Sequence, residues 1–207
     1  MYKNCFKRII DVLLSLAGII LASWLYLIII IAIKIDDPGP AFFFQKRVGK
    51  DKEHFELVKF RSMKISAPPD VPTHLMKDTD MYITGIGKFL RKTSLDEIPQ
   101  LWNILKGDMS IVGPRPALWN QYDLIAERDK YGANDVKPGL TGWAQINGRD
   151  ELDIETKAIY DGEYVQRMSF GFDCECFFKT IGRVIRHEGF AEGNRAEQYD
   201  EETIKKM

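Results

Sequence analysis

Asp96 and Glu97 stand side by side, with Arg91 and Lys92 just upstream and Pro99 just downstream. Two adjacent carboxylates can hold a divalent cation, and the neighbouring cations can hold phosphate oxygens. A carboxylate is also a competent nucleophile towards phosphorus, as in aspartyl-phosphate chemistry. The competing reading is structural. Ser94 and Glu97 have the spacing of a capping box, in which each side chain satisfies a backbone N–H at a helix start. Pro99 separates the possible registers. Proline has no N–H to donate, so it costs nothing only within the first turn. A cap at Ser94 would put Pro99 in the fifth helical position, where an N–H is missed. A cap at Asp96 puts it in the third. The expectation is a helix N-terminus at Asp96, whose unpaired N–H groups and dipole attract anions.

Two further stretches combine rigid turns with an arginine. Gly107 to Pro116 contains Gly113-Pro114-Arg115-Pro116, and Lys137 to Asp150 contains Pro138, Gly139, Gly142, Gly148 and Arg149. The arginine fork suits bidentate contact with phosphate. Trp143, in the second stretch, either stacks on a base or supports its loop. Support is the commoner use of a buried indole.

The elements that must position these groups begin with an anchor. Val12 to Ile33 is 22 residues without a charge. As a helix it reaches ~33 Å, enough for a hydrocarbon core of ~30 Å. Lys-Ile-Asp-Asp-Pro-Gly-Pro follows Ile33, a poor cleavage site, so the segment reads as a retained anchor. Lys3, Lys7 and Arg8 precede it, and Lys34, Lys46 and Arg47 follow it. Positive charge favours the cytoplasmic side. Both flanks carry it, so the alternatives are a straight span and a re-entrant hairpin bent near Gly18 or Ser23.

Beyond the anchor, Ala41–Arg47 and His54–Arg61 alternate like two half-buried strands joined at Gly49–Asp51. Ser66–Thr73 is a proline-rich loop. Helices are expected over Ile83–Lys92, Leu95–Lys106, Ala117–Lys130, Glu151–Arg167 and Cys174–Arg186, with loop and perhaps one strand over Asn134–Gly148. The last helix is basic and amphipathic, a form that suits a membrane interface, although core packing explains such stripes more often.

The 207 residues carry a net charge of −1, so no global field points to nucleic acid. Residues 45 to 64 are locally basic, with Lys46, Arg47, Lys50, Lys52, Lys59, Arg61 and Lys64 against Asp51, Glu53 and Glu56. Such a patch suits lipid or nucleotide phosphates. Cys5, Cys174 and Cys176 are odd in number and poorly spaced for disulfides, and His54, His74 and His187 lack metal-ligand spacing.

Four blocks together resemble the bacterial sugar transferases, small monotopic polyprenol-phosphate phosphoglycosyl transferases: Lys59-Phe60-Arg61-Ser62-Met63, Ser94-Leu95-Asp96-Glu97, Val112-Gly113-Pro114-Arg115-Pro116, and Lys137-Pro138-Gly139-Leu140-Thr141-Gly142-Trp143-Ala144-Gln145. Each block is weak alone; in order, from the membrane segment to about Glu188, they are specific. The resemblance implies attack by Asp96 on the β-phosphate of a UDP-sugar. UMP departs, a phosphosugar ester forms on the enzyme, and polyprenol phosphate accepts the phosphosugar. It implies Mg2+ held with the help of Asp96 and Glu97, and Glu97 as ligand or proton acceptor. Lys59, Arg61, Arg91 and Asp173 join the site, with Arg115 and Arg149 as substrate-binding groups. It also implies the first membrane step of a bacterial glycoconjugate pathway, at the cytoplasmic face of the inner membrane, with membrane lipids and a possible homodimer as partners. The family's re-entrant helix breaks at Ser-Pro, where this chain has Ser23-Trp24.

The expected fold is α+β and helix-rich. A re-entrant membrane helix at 1–35 precedes a small cytosolic catalytic domain with interfacial amphipathic helices at 36–189 and a polar tail at 190–207. Asn147–Asp150 and the helix after it are candidate sugar-specificity elements, with an N-acetylated sugar the expectation. Two rival readings are a membrane-bound interaction module whose Asp96-Glu97 pair only caps a helix, and a nucleotide-sugar hydrolase that uses water as acceptor.

Overall fold

The computed structural model describes residues 2–68, 79–148 and 152–186. A short wide helical turn, Tyr2–Phe6, leads into helix α1, Lys7–Asp36, which is helical without interruption across Ser23-Trp24. Its length and composition would let it cross a membrane. One side is apolar and open: Leu21, Trp24, Leu27 and Ile35 are each more than half exposed. The other side is fastened to the rest of the protein along its whole length. Lys7 Nζ donates to Asp173 at 2.5 Å, and Arg8 donates to the carbonyls of Ile104 and Leu105. Asp11 accepts from Ser110 Oγ and Ile111 N, Tyr26 donates to Ile98 O, and Asp36 accepts from Ile86 N.

Strands β1, Phe42–Val48, and β2, His54–Phe60, form the antiparallel hairpin that the alternation predicts, with Phe42 opposite Phe60 and Phe43 opposite Lys59. After α2, Thr79–Tyr82, helix α3, Gly85–Lys92, starts at a Thr84 cap whose hydroxyl accepts from Gly87 N.

The helix expected over Leu95–Lys106 is broken in two. Leu95–Glu97 forms a single 3₁₀ turn, and helix α4 spans only Gln100–Lys106. Neither cap reading holds. Ser94 sits at φ 56° and makes no capping hydrogen bond, and Asp96 lies inside the turn. Pro99 precedes α4, where its missing N–H costs nothing. No long helix N-terminus therefore faces the site.

Strand β3, Ser110–Val112, pairs in parallel with β4, Gly139–Thr141, and short helix α6, Trp143–Asn147, follows at once. Between them, α5 covers Tyr122–Asp129, shorter than the expected Ala117–Lys130, because Leu118 bridges to Arg47 of the hairpin instead. Helix α7, Ile154–Arg167, starts at an Asp153 cap, and α8 spans Phe170–Arg186. A buried Arg128–Asp161 pair at 2.6 Å ties α5 to α7. One core gathers Leu57, Ile104, Met109, Val112, Tyr164 and Phe172. A second gathers Ile29 and Ile33 of α1 with Phe60 and Leu90, which makes the anchor helix part of the folded domain. The expected 66–73 loop lies mostly outside the described residues, as does the 190–207 tail.

Candidate active site

Asn103 of α4 sets the position of strand β2. Its Nδ2 donates to Glu56 O and its Oδ1 accepts from Val58 N, so α4 grips the strand one residue before Lys59. The 3₁₀ turn that leads into α4 is held by the same body. Lys59 Nζ consequently lies 3.0 Å from Glu97 Oε1.

A second clamp positions Arg115. Gly113 N donates to Thr141 O, and Gly139 N donates to Pro114 O. The approach is close: a β-carbon on Gly139 would lie 2.1 Å from Gly113 N, and one on Gly142 would lie 2.1 Å from Gly113 O. Only glycine fits such contacts. The two glycine-rich stretches are thus one structure, and it delivers Arg115 Nη2 to 2.9 Å from Glu97 Oε1.

Asp96 and Glu97 are both buried. Burial pushes the Asp96 carboxyl above the usual range; Lys59, Arg91 and Arg115 pull it back and Glu97 pushes it further. Burial likewise holds the Lys59 ammonium below its ordinary value, against the pull of Glu97. The site is a buried carboxylate pair inside a ring of cations, an arrangement that can receive phosphate charge and leave a carboxylate oxygen to react.

Two clefts meet at this pair. One, of about 290 Å3, is lined by Lys59, Arg61, Arg91, Arg47 and Gln45, and Asp96 forms part of its wall. The other, of about 230 Å3, is mostly apolar, lined by Leu101, Leu140, Phe177 and Ile181, with Glu97 and Arg115 in its wall. The family model described as bacterial sugar transferase matches residues 2–187. This chain belongs to the bacterial sugar transferase family.

Several curated members resemble this sugar transferase. The UDP-glucose:undecaprenyl-phosphate glucose-1-phosphate transferase of Escherichia coli is 42% identical over 183 residues, covering 84% of this chain and 39% of that protein. The undecaprenyl-phosphate galactose phosphotransferase of Salmonella typhimurium is 37% identical, covering 88% of this chain and 41% of that protein. The chain therefore spans about two fifths of the length of these two relatives. The uncharacterized sugar transferase EpsL of Bacillus subtilis is 38% identical, with 91% of both chains covered.

Within this sugar transferase, the structure brings Lys59, Arg91, Asp96, Glu97 and Arg115 together. Arg61 lines the basic cleft, but its guanidinium is engaged with Asp37, whose Oδ2 lies 2.6 Å from Nη1, and it ties the end of α1 to β2. Asp173 lines neither cleft. It accepts from Tyr2, Lys7 and Tyr164 in a buried cluster that fastens the N-terminus to α8. Arg149 lies outside the described residues. Trp143 supports its surroundings: Nε1 donates to Glu163 at 2.7 Å, and the ring packs on Phe172. The cysteines form no site, since all are free and burial pushes the Cys176 thiol up to about 12. Gln145 and Gln45 had drawn no attention as site residues, and Arg47 only as part of the basic patch. Gln145 ends the fourth motif block, and that was its only signal.

Proposed function

We propose that this chain transfers a sugar 1-phosphate from a UDP-sugar to polyprenol phosphate and releases UMP. The observation that carries the reading is Asp96, a buried carboxylate beside Lys59, Arg91 and Arg115, at the meeting point of a basic and an apolar cleft. A diphosphate needs cations around it, and a prenyl chain needs an apolar path.

In the proposed reaction an Asp96 carboxylate oxygen attacks the β-phosphorus. The P–O bond to UMP breaks, and UMP leaves with the electron pair, giving a phosphosugar acyl phosphate. An oxygen of polyprenol phosphate then attacks the same phosphorus and Asp96 departs as carboxylate. Atoms and charges balance without a redox partner. Arg91 and Lys59 neutralise the diphosphate, and Arg115 offers a fork to the phosphate that enters second. Glu97 is held by Lys59 and Arg115, so its main task is to orient these two cations.

Mg2+ fits this site in a limited way. Among the described residues no three His, Cys, Asp or Glu side chains cluster as a closed cage. Mg2+ commonly takes only one or two carboxylates, with waters and substrate phosphates completing its shell. Asp96 with Glu97 would hold it, and it would supply charge neutralisation on the phosphates.

Helix α1 has both ends fastened to one body, through Lys7–Asp173 and Asp36–Ile86, and an apolar outer face between them. A helix that left the domain and crossed the bilayer could not keep both attachments, and α1 has no break at which to fold back. The reading this supports is a helix that keeps both ends on one face with its apolar side against the lipid. Basic residues at both flanks favour the cytoplasmic face. The experiment is to incubate the purified chain with Mg2+, a panel of UDP-sugars and polyprenol phosphate. UMP release that requires the lipid, together with a lipid-linked phosphosugar, supports the reading; free sugar phosphate without lipid product refutes it.

A further inference from the structure

Gln145 is 9% exposed, and neither Nε2 nor Oε1 has a hydrogen-bond partner among the described residues. A buried amide left this way costs about 1–3 kcal/mol, so its partner is expected to come from outside the protein. The backbone explains its place. Gly142, extended and without a side chain, turns β4 into α6 so tightly that a β-carbon there would lie 2.7 Å from Gln145 Oε1. The amide is thereby held in the wall of the apolar cleft, together with Arg115, Thr141 and Thr180.

Apart from Ser94, Glu97 and Arg183, the rest of that wall is hydrocarbon. Ile98 and Leu101 come from α4 and the turn before it, Leu140 from β4, and Phe177, Ile181 and Val184 from α8. Leu101 is also the side chain against Gly18 of α1, close enough that a β-carbon there would lie 2.9 Å from its Cδ1. Leu101 thus links the wall of the cleft that holds Glu97 and Arg115 to α1. A soluble nucleotide has no use for such a path. An amphiphile with a long apolar tail and one anionic head matches it: tail along the aliphatic wall, head at Arg115 and the unpaired amide.

We infer that this cleft is the binding site of the prenyl phosphate acceptor and that Gln145 is its head-group residue, with Nε2 donating to a phosphate oxygen beside Arg115. The inference rests on the transfer reaction proposed above. In-line displacement requires the acceptor oxygen to enter by the face from which UMP left, so both head groups use the mouth at Asp96 in turn. Only their bodies diverge, the nucleotide into the Lys59–Arg91 cleft and the prenyl chain along α8.

The test uses the full chain and farnesyl phosphate as probe, with binding measured by native mass spectrometry. Gln145→Glu keeps the shape and sets a negative charge against the phosphate. Ile181→Trp fills the groove from a position that is 41% exposed, so folding is spared even if the first variant fails to fold. Each variant should weaken farnesyl phosphate binding at least about tenfold, the order of one lost charge-assisted contact. Acceptor KM should rise with it, and donor KM should move far less. Unchanged farnesyl phosphate binding in both variants overturns the inference. So does a rise in UDP-sugar KM with acceptor binding intact, which would assign Gln145 to the donor. If no UDP-sugar yields product while probe binding still depends on Gln145 and Ile181, the transferase reading fails and the groove assignment stands.

Discussion

Asp96 and Glu97 are neighbours in the chain yet wall different clefts, Asp96 the basic one and Glu97 the apolar one. The 3₁₀ turn makes this possible, because its tight winding points adjacent side chains in different directions. In the proposed reaction the two head groups would then share one mouth while their bodies lie in different clefts.

Lys59, like Arg115, acts on both carboxylates. Lys59→Met removes a cation 3.0 Å from Glu97 and the strongest of the positive influences on Asp96. We expect kcat/KM to fall about 10²–10³-fold, the usual loss for a preorganised charge-stabilising group, and stability to fall by about 1–3 kcal/mol. Steady-state kinetics and thermal melting in detergent check both.

Asp96→Asn should abolish transfer and yet raise the melting temperature. Burial lifts the Asp96 pKa in the folded state, so the folded protein binds this proton more tightly than the unfolded chain does. Its ionisation therefore costs stability, by an amount that grows as pH rises from the unfolded pKa to the folded one and is then constant. The stabilisation by Asn should be small at about pH 4 and fully developed once Asp96 is ionised. The acid limb of wild-type kcat/KM should likewise lie above the ordinary carboxylate range. Melting curves across pH for the two proteins test the sign.

Gly139→Ala should separate the two glycine-rich stretches. Its β-carbon would meet Gly113 N at 2.1 Å and Thr141 O at 2.4 Å, and backbone cannot yield as a side chain does. A cost of about 1–3 kcal/mol or more is expected, with Arg115 displaced and activity lost. Retention of wild-type kcat/KM would show that Arg115 does not depend on this clamp.

The path of α1 can be read from cysteine labelling. Cys5 is exposed, and Lys34→Cys adds a second thiol at the other end of the helix. In sealed vesicles a membrane-impermeant maleimide should reach both from the same side. Labelling from opposite sides would establish a span.

Much of the site was legible in the sequence because it resides in motif blocks. Lys59, Asp96, Glu97 and Arg115 lie in those blocks and Arg91 just before one; the structure gathers all five, and the Phe42–Phe60 hairpin follows its alternation. Neither Ser94 nor Asp96 caps a helix, for a physical reason. The Glu97 carboxylate is claimed by Lys59, 38 residues away, and by Arg115, 18 residues away. A short strand was expected within Asn134–Gly148, and β4 lies there; β3 was not expected, since three residues beside a glycine carry too little alternation to read. Asp173 was placed in the site by the resemblance alone, because sequence cannot reveal that Tyr2, Lys7 and Tyr164 surround it. Gln145 was silent because an unpaired amide is a property of packing alone.

The central claim is a covalent intermediate on Asp96, and intact-protein mass tests it most directly. The purified chain is incubated with Mg2+ and UDP-sugars, without lipid acceptor. The account predicts a mass increase equal to one phosphosugar, absent in Asp96→Asn and discharged when polyprenol phosphate is added. No adduct with any donor, while UMP release still requires polyprenol phosphate, would contradict it and make the reaction a direct transfer in a ternary complex.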